Sequence, residues 1–197
     1  MAHENFAIRL MLILPAECTP QDAVALAVAG DVAAVIARCG DTPAERERLA
    51  ALAPLLQEAG AAVLVEDRPD LVVSLGLDGA HLSGRAGLKA ALPALKPALI
   101  AGVGGLADRH DAMEAGEAGA DYLLFGGTGL PFAQVLDSVS WWAELFEVPC
   151  VGLASDLSEV ASLAGAGVDF VALTGALLTP QGVAEAQARV RAVESDA

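Results

Sequence analysis

Four times along this chain a helix-forming run stops at a glycine and passes almost at once into an apolar strand. The junctions are Glu58-Ala59-Gly60-Ala61, Leu75-Gly76-Leu77-Asp78, Ala118-Gly119-Ala120-Asp121 and Ala166-Gly167-Val168-Asp169. Glycine ends a helix because it takes the left-handed conformation without a Cβ penalty. Connections this short return each helix directly to a sheet, which is the pattern of parallel α/β folds.

The segment Val63 to Leu82 shows one complete unit. Val63-Leu64-Val65 is a short buried strand by composition, Glu66 and Asp67 follow at its C-terminal tip, Pro69 opens a short helix through Leu75, and Ala80 to Leu82 form the next strand. Other strands are read at Ile8–Leu14, Val32–Ala37, Ala98–Gly102, Tyr122–Phe125, Cys150–Leu153 and Phe170–Leu173. Helix starts are marked by Thr19-Pro20, by the capping box Thr42-Pro43-Ala44-Glu45, by Asp108, by Asp156 with Glu159, and by Thr179-Pro180. Eight strands thus alternate with eight helical segments, and the predicted fold is α/β, a (β/α)8 TIM barrel made by a single domain over residues 1–197. A doubly wound open sheet is the rival, but its dinucleotide-binding form needs a GxGxxG after the first strand, and that strand runs into Pro15 instead.

Such folds keep their chemistry at the C-terminal ends of strands, which directs attention to Glu66 and Asp67. The net charge of −15 weighs against nucleic acid and anionic membrane surfaces as partners. It leaves a phosphate ligand open, because backbone N–H groups hold phosphate with little help from cations. Although 55% of residues are hydrophobic, no charge-free apolar run reaches the roughly 18 residues that span a bilayer. The start, MAHENFAIRL, lacks a basic segment followed by a long apolar one, so no secretory leader is expected and the chain reads as soluble and cytoplasmic. Cys18, Cys39 and Cys150 are odd in number, far apart and in no CxxC pair, so disulfides and zinc are not expected. Each is read as a small buried residue, with catalytic use of one left open. Trp141 and Trp142 are adjacent on one helix and cannot share a face, so one belongs in the core and the other at the surface or in a homodimer contact.

The blocks Asp67-Arg68-Pro69-Asp70-Leu71 and Asp78-Gly79-Ala80-His81-Leu82 resemble the thiamine phosphate synthase (thiamine-phosphate pyrophosphorylase) and thiazole tautomerase family. The resemblance continues through Ile100-Ala101-Gly102, Gly119 to Gly126, Val148 to Gly152 and Ala166 to Ala172, which is nearly the whole chain in register. It implies a transferase of thiamine biosynthesis that joins hydroxymethylpyrimidine pyrophosphate to thiazole phosphate and releases pyrophosphate. That reaction ionises a C–O bond to a stabilised pyrimidine cation. It calls for Mg²⁺ and cationic side chains around the departing pyrophosphate, and for a second phosphate site.

Residue by residue, the family's functional shell is mostly replaced. In its Gln-x-Arg-Glu-Lys sequence after strand two, Arg38 matches, but Ile36, Cys39 and Gly40 stand at the other positions. Asp67 retains one Mg²⁺ ligand position, with Glu66 beside it as a candidate second. Neighbouring strand residues point to opposite faces unless the backbone turns between them. The second metal carboxylate is lost from Ser83-Gly84-Arg85-Ala86, and the Thr-x-Thr-Lys element is absent from Gly126 to Phe132. The paired glycines that wrap the thiazole phosphate become Ala154-Ser155. His81 aligns with a strand-four histidine of the family and reads either as an acid/base in the mouth or as a hydrogen-bonded structural group. The tautomerases' histidine after strand six is replaced near Gly127. A phosphate cradle built from Gly152, Ala154 and Ser155 on one side and Thr174 and Gly175 on the other follows from the resemblance. Arg68, Arg85 and Arg109 lie in loops after strands and read equally as mouth or surface residues.

The expected function is therefore that of a diverged family member that binds a small phosphorylated molecule, with catalysis by Arg38, Asp67 and His81 weak, altered or absent. The alternatives are a genuine thiamine phosphate synthase and a non-catalytic regulatory or binding subunit. A Schiff-base aldolase needs a lysine on a strand end, and Lys89 and Lys96, the two lysines present, fall outside the strands.

Overall fold

The strands of the computed structural model are β1 (Arg9–Leu14), β2 (Val32–Ala37), β3 (Ala62–Glu66), β4 (Gly79–Ser83), β5 (Ile100–Gly104), β6 (Tyr122–Phe125), β7 (Cys150–Ala154) and β8 (Phe170–Leu173). Each hydrogen-bonds in parallel to the next, and β8 returns to β1, closing the barrel. The helices are α1 (Pro20–Ala27), α2 (Pro43–Glu58), α3 (Pro69–Val72), α4 (Gly84–Leu95), α5 (Arg109–Ala118), α6 (Phe132–Leu145), α7 (Leu157–Gly165) and α8 (Pro180–Asp196). The structure describes residues 7–127 and 129–196. The residues 1–6 on which the leader reading partly rests, together with Thr128 and Ala197, lie outside the described residues. No described helix is long and apolar enough to cross a membrane.

The junction glycines behave as their sequence context predicts. Gly60, Gly76, Gly119 and Gly167 all have positive φ, between 64° and 103°. Helix starts follow their caps: Thr42 and Glu45 form the full capping box, and Asp156 accepts from the amides of Ser158 and Glu159.

Alternation along each strand divides the side chains into two cores. Met11, Ala34, Ile36, Leu64, Tyr122, Leu124, Val151 and Ala172 fill the barrel interior. Their neighbours, such as Leu12, Val35, Val63, Leu82, Val103 and Val171, face the helical layer. In a parallel barrel every strand carries this alternation outward to its C-terminal tip. Each tip therefore aims alternate residues into the mouth.

The strands begin at a second shared device, on the opposite face. Asp78, just before β4, accepts the Val63 amide of β3 at 2.7 Å. Asp121, before β6, accepts the Ala101 amide of β5 at 2.6 Å. Asp169, before β8, accepts the Cys150 amide of β7 at 2.8 Å. Asp31, before β2, instead takes the Arg9 guanidinium of β1 at 2.8 Å. Each odd-numbered strand is thus tied to its successor by a carboxylate, and three of the four are the aspartates that end the Gly-x-Asp junctions.

One strand is displaced from its expected position. β5 runs over Ile100–Gly104, two residues later than the expected Ala98–Gly102, so Val103 and Gly104 are also strand. The reason lies in its glycines. A Cβ at Gly102 would fall 2.0 Å from the Tyr122 ring, and one at Gly104 would fall 2.9 Å from His81 Nε2. β5 carries glycines where its neighbours' side chains fill the barrel. The helix after β3 is also shorter than expected, ending at Val72 rather than Leu75, while α4 starts at Gly84 and continues through Pro93.

Replacing Asp169 by alanine leaves the Cys150 amide without its acceptor. A hydrogen bond to a charged group contributes about 1.5–3 kcal/mol, so urea denaturation of Asp169→Ala is expected to show a loss in that range. A loss below about 0.5 kcal/mol, the size of an ordinary surface change, would contradict the tie.

Candidate functional site at the barrel mouth

A cavity of about 420 Å³ opens at the C-terminal face of the barrel. Its residues follow from the strand alternation. Arg38 continues the inward series Ala34, Ile36; Glu66 continues Ala62, Leu64; and Ser83 follows Gly79, His81. Ser155 extends Val151, Leu153, and Thr174 extends Phe170, Ala172. These polar groups form one side. Ile13, Leu124 and Leu153, with Leu130, Phe132 and Val135 from α6 and the loop before it, form an apolar side.

Arg38 and Glu66 meet across the strand tips, Nε to Oε2 at 2.7 Å. The arginine side chain is about half exposed, and a pair this open contributes no more than about 1 kcal/mol. Asp67 is the sole non-glycine among the described residues with positive φ, at 52°. The backbone does turn between Glu66 and Asp67, yet the turn separates their roles. Asp67 accepts the Ser83 amide through Oδ1 at 2.7 Å and the Ser83 hydroxyl through Oδ2 at 2.6 Å. Its carboxylate holds the tip of β4 to that of β3, while Glu66 holds Arg38.

Mg²⁺ demands near-octahedral oxygen ligation, usually through carboxylates and substrate phosphates. Both oxygens of Asp67 already accept from Ser83, and Glu66 is neutralised by Arg38. Among the described residues no three His, Cys, Asp or Glu side chains gather as a metal-binding group. As placed, these residues do not fit a resident Mg²⁺.

The phosphate-cradle residues divide between mouth and interior. Ser155 and Thr174 line the cavity. Gly152 lies beneath α7, where a Cβ would meet Leu163 at 2.5 Å, and Ala154 is buried in the helical layer. Gly175 opens a single 3-10 turn, Gly175–Leu177, whose first N–H groups have no acceptor within the turn. At Ser155 the donors are taken: Glu159 Oε2 accepts the amide at 2.7 Å and the hydroxyl at 2.8 Å. Glu159 was legible in the sequence as a helix-capping residue. That it reaches back over the β7 tip into the cavity was not, nor was the lining role of Ser83.

His81 lies at the cavity floor, 7% exposed, with Nδ1 2.8 Å from the Tyr122 hydroxyl. The rings are nearly parallel, 15° apart. Burial is the main cause that lowers the His81 pKa to about 4, opposed by the Asp67 charge. Burial also raises the Tyr122 phenol well above its ordinary range. Both groups are therefore neutral near pH 7.

The remaining candidates are structural or engaged elsewhere. Arg68 binds Asp70 and Asp41, Arg85 binds Asp111 and Glu114, and Lys96 binds Asp121 at the far end of the barrel. Arg109 pairs with Asp137 at 2.9 Å and stacks over Trp141 at 4.7 Å. Trp142 is the core member of its pair and donates to the Val148 carbonyl at 2.7 Å. All three cysteines are free and buried, and burial pushes the Cys150 thiol up to about 12.

The depressed His81 pKa has a definite sign for stability. Below pH 6.5 the unfolded chain protonates this histidine and the folded chain does not. Folding stability is therefore expected to fall as pH drops from about 6.5 to about 4, with a His81 contribution approaching 3 kcal/mol. Above pH 7 that contribution vanishes. Urea titrations of the protein and of His81→Gln check this, and parallel stability–pH curves for the two would contradict it.

Comparisons with known proteins bear on the same mouth. The sequence profile of the family described as thiamine monophosphate synthase matches residues 10–177. A thiamine-phosphate synthase of Rhodospirillum centenum is 39% identical over 195 residues, covering 91% of this chain and 94% of that protein. Another from Hyphomonas neptunium is 37% identical, covering 74% of this chain and 72% of its own. Among solved structures, the thiamine phosphate pyrophosphorylase of Pyrococcus furiosus superposes with a TM-score of 0.78 at 22% identity, covering 97% of each chain. With a profile match spanning seven of its eight helices and every strand but for the first residue of β1, the chain belongs to the thiamine monophosphate synthase family.

Proposed function

We propose that this chain binds a small phosphorylated molecule at its barrel mouth, and that it performs the family's pyrophosphate-releasing transfer weakly, in altered form or not at all. The charge of the mouth carries this reading. Among the described residues lining the cavity, Arg38 is the one permanent cation, it is already paired with Glu66, and Glu159 adds a second carboxylate. The leaving pyrophosphate would develop its charge opposite this surface. Two like charges 4 Å apart repel by about 4 kcal/mol at a surface-like effective dielectric of about 20, so each unopposed carboxylate raises the barrier.

A single phosphate makes smaller demands. The turn at Gly175–Leu177 offers N–H groups, and the Ser155 amide and hydroxyl become available once Glu159 rotates away. That contact is exposed, and exchanging one acceptor for another there costs about 1 kcal/mol. Arg38 can likewise leave Glu66 for a ligand oxygen. In this reading Arg38 and His81 touch the ligand, and Asp67 supports Ser83 instead of chelating Mg²⁺.

A second reading, an ordinary synthase, is favoured by the 39% identity to a thiamine-phosphate synthase over nearly the full chain. Thiamine phosphate formation from hydroxymethylpyrimidine pyrophosphate and thiazole phosphate with Mg²⁺, assayed beside the Rhodospirillum centenum relative, separates the two. Loss of one charge-stabilising donor typically costs 10²–10³ in turnover, so a rate at least about 100-fold lower is expected. A rate matching the relative's would establish the ordinary synthase.

A further inference from the structure

His81 and Tyr122 form a unit for which the barrel makes room. β5 supplies glycine at both neighbouring inward positions, since a Cβ at Gly102 would enter the Tyr122 ring and one at Gly104 would crowd His81 Nε2. His81 and Gly104 both line the cavity, and Nε2 is the imidazole atom nearest the space a Gly104 Cβ would take, at 2.9 Å. Two orientations of the central hydrogen bond are chemically available. If Nδ1–H donated to the phenol oxygen, the phenol O–H would need another acceptor inside the barrel. Among the described residues the phenol's partner is His81 Nδ1, at 2.8 Å. A buried hydroxyl left without an acceptor is costly, so the phenol donates and Nδ1 accepts. The imidazole proton then resides on Nε2.

We propose that Tyr122 is a positioning residue that fixes His81 as the Nε2–H tautomer, so that the mouth presents a neutral N–H donor to an uncharged oxygen or nitrogen acceptor of the bound ligand. This rests on the reading of the mouth as a ligand site and specifies which part of a ligand it recognises. The phosphate is held at the rim by the β7 and β8 tips. The floor, bounded by His81 and the apolar Leu124 and Leu153, receives the uncharged body of the molecule. A neutral donor there discriminates by hydrogen bonding without attracting a second phosphate. A ligand lacking the acceptor leaves a desolvated N–H unpaired.

The test is long-range ¹H–¹⁵N correlation of the histidine side chains in ¹⁵N-labelled protein, with His81 assigned by His81→Gln. The ligand-free protein is expected to show His81 protonated on Nε2 and unprotonated on Nδ1. Tyr122→Phe, which removes the donor to Nδ1, is expected to give a mixture of tautomers. An Nδ1–H tautomer in the ligand-free protein overturns the proposal, and so does a folded Tyr122→Phe protein whose tautomer is unchanged. Should Tyr122→Phe not fold, the ligand-free spectrum of the unsubstituted protein still decides. Thiazole phosphate is the probe for the donor role, with inorganic phosphate as the control. Binding of thiazole phosphate that shifts the Nε2 signals, while phosphate alone does not, supports the role. Binding that leaves Nε2 unmoved overturns it. If calorimetry shows no binding of thiazole phosphate, the functional reading of the preceding subsection fails, and the tautomer remains decided by the ligand-free spectra.

Discussion

The alternation of side chains along eight closed parallel strands determines which residues can meet at the mouth. A shift of one residue in any strand would exchange its inward and outward sets, moving Arg38 or Glu66 from the cavity to the helical layer. Register is therefore a functional quantity in this chain. The aspartates at the opposite face, each holding the first amides of the preceding strand or its arginine, pin that register in pairs of strands. The link from sequence to function runs through them. A carboxylate at the bottom of β4 or β8 fixes which side chain stands at the top.

The mouth that results is lined by charged groups that are already partnered within the chain. Its carboxylates are committed inside the protein: Glu66 to Arg38, Asp67 to Ser83, and Glu159 to Ser155. Arginines elsewhere around the rim are likewise held by neighbouring acids, as at Arg85 and Arg109. Such pairs are weak where they are exposed, so they leave room for one modest anion. In the proposed reading they do not supply the concentrated positive field that a departing pyrophosphate calls for. The neutral His81–Tyr122 pair is the most sharply defined polar feature of the floor.

The barrel itself was legible because its signals are local. Glycine stops, Thr-Pro and Asp caps, and short apolar runs each act within a few residues, and they agree with one another along the chain. β5 lies two residues beyond its expected place because glycines carry no strand propensity of their own. Only the Tyr122 and His81 side chains arriving from β6 and β4 make them strand residues. At the site, Arg38, His81, Ser155 and Thr174 line the cavity; the sequence left His81 open between mouth and structural roles, and Gly152 and Ala154 were not separable from Ser155 without strand parity. Reading Asp67 as a ligand followed the family resemblance, which places a Mg²⁺ ligand at that position. Its hydrogen-bond partner in the structure, Ser83, lies 16 residues away, and the left-handed turn that directs it there has no local signature. Glu159 was missed as a lining residue for a similar reason, because a helix cap and a cavity wall can be the same side chain.

Isothermal titration reads the charge balance of the mouth directly. The protein is titrated with pyrophosphate and, separately, with thiazole phosphate, each with and without Mg²⁺. Measurable binding of thiazole phosphate that does not depend on Mg²⁺ is expected, together with no measurable binding of pyrophosphate under either condition. Mg²⁺-dependent pyrophosphate binding that Asp67→Ala abolishes would contradict this expectation, because Asp67 would then be a metal ligand and not the partner of Ser83.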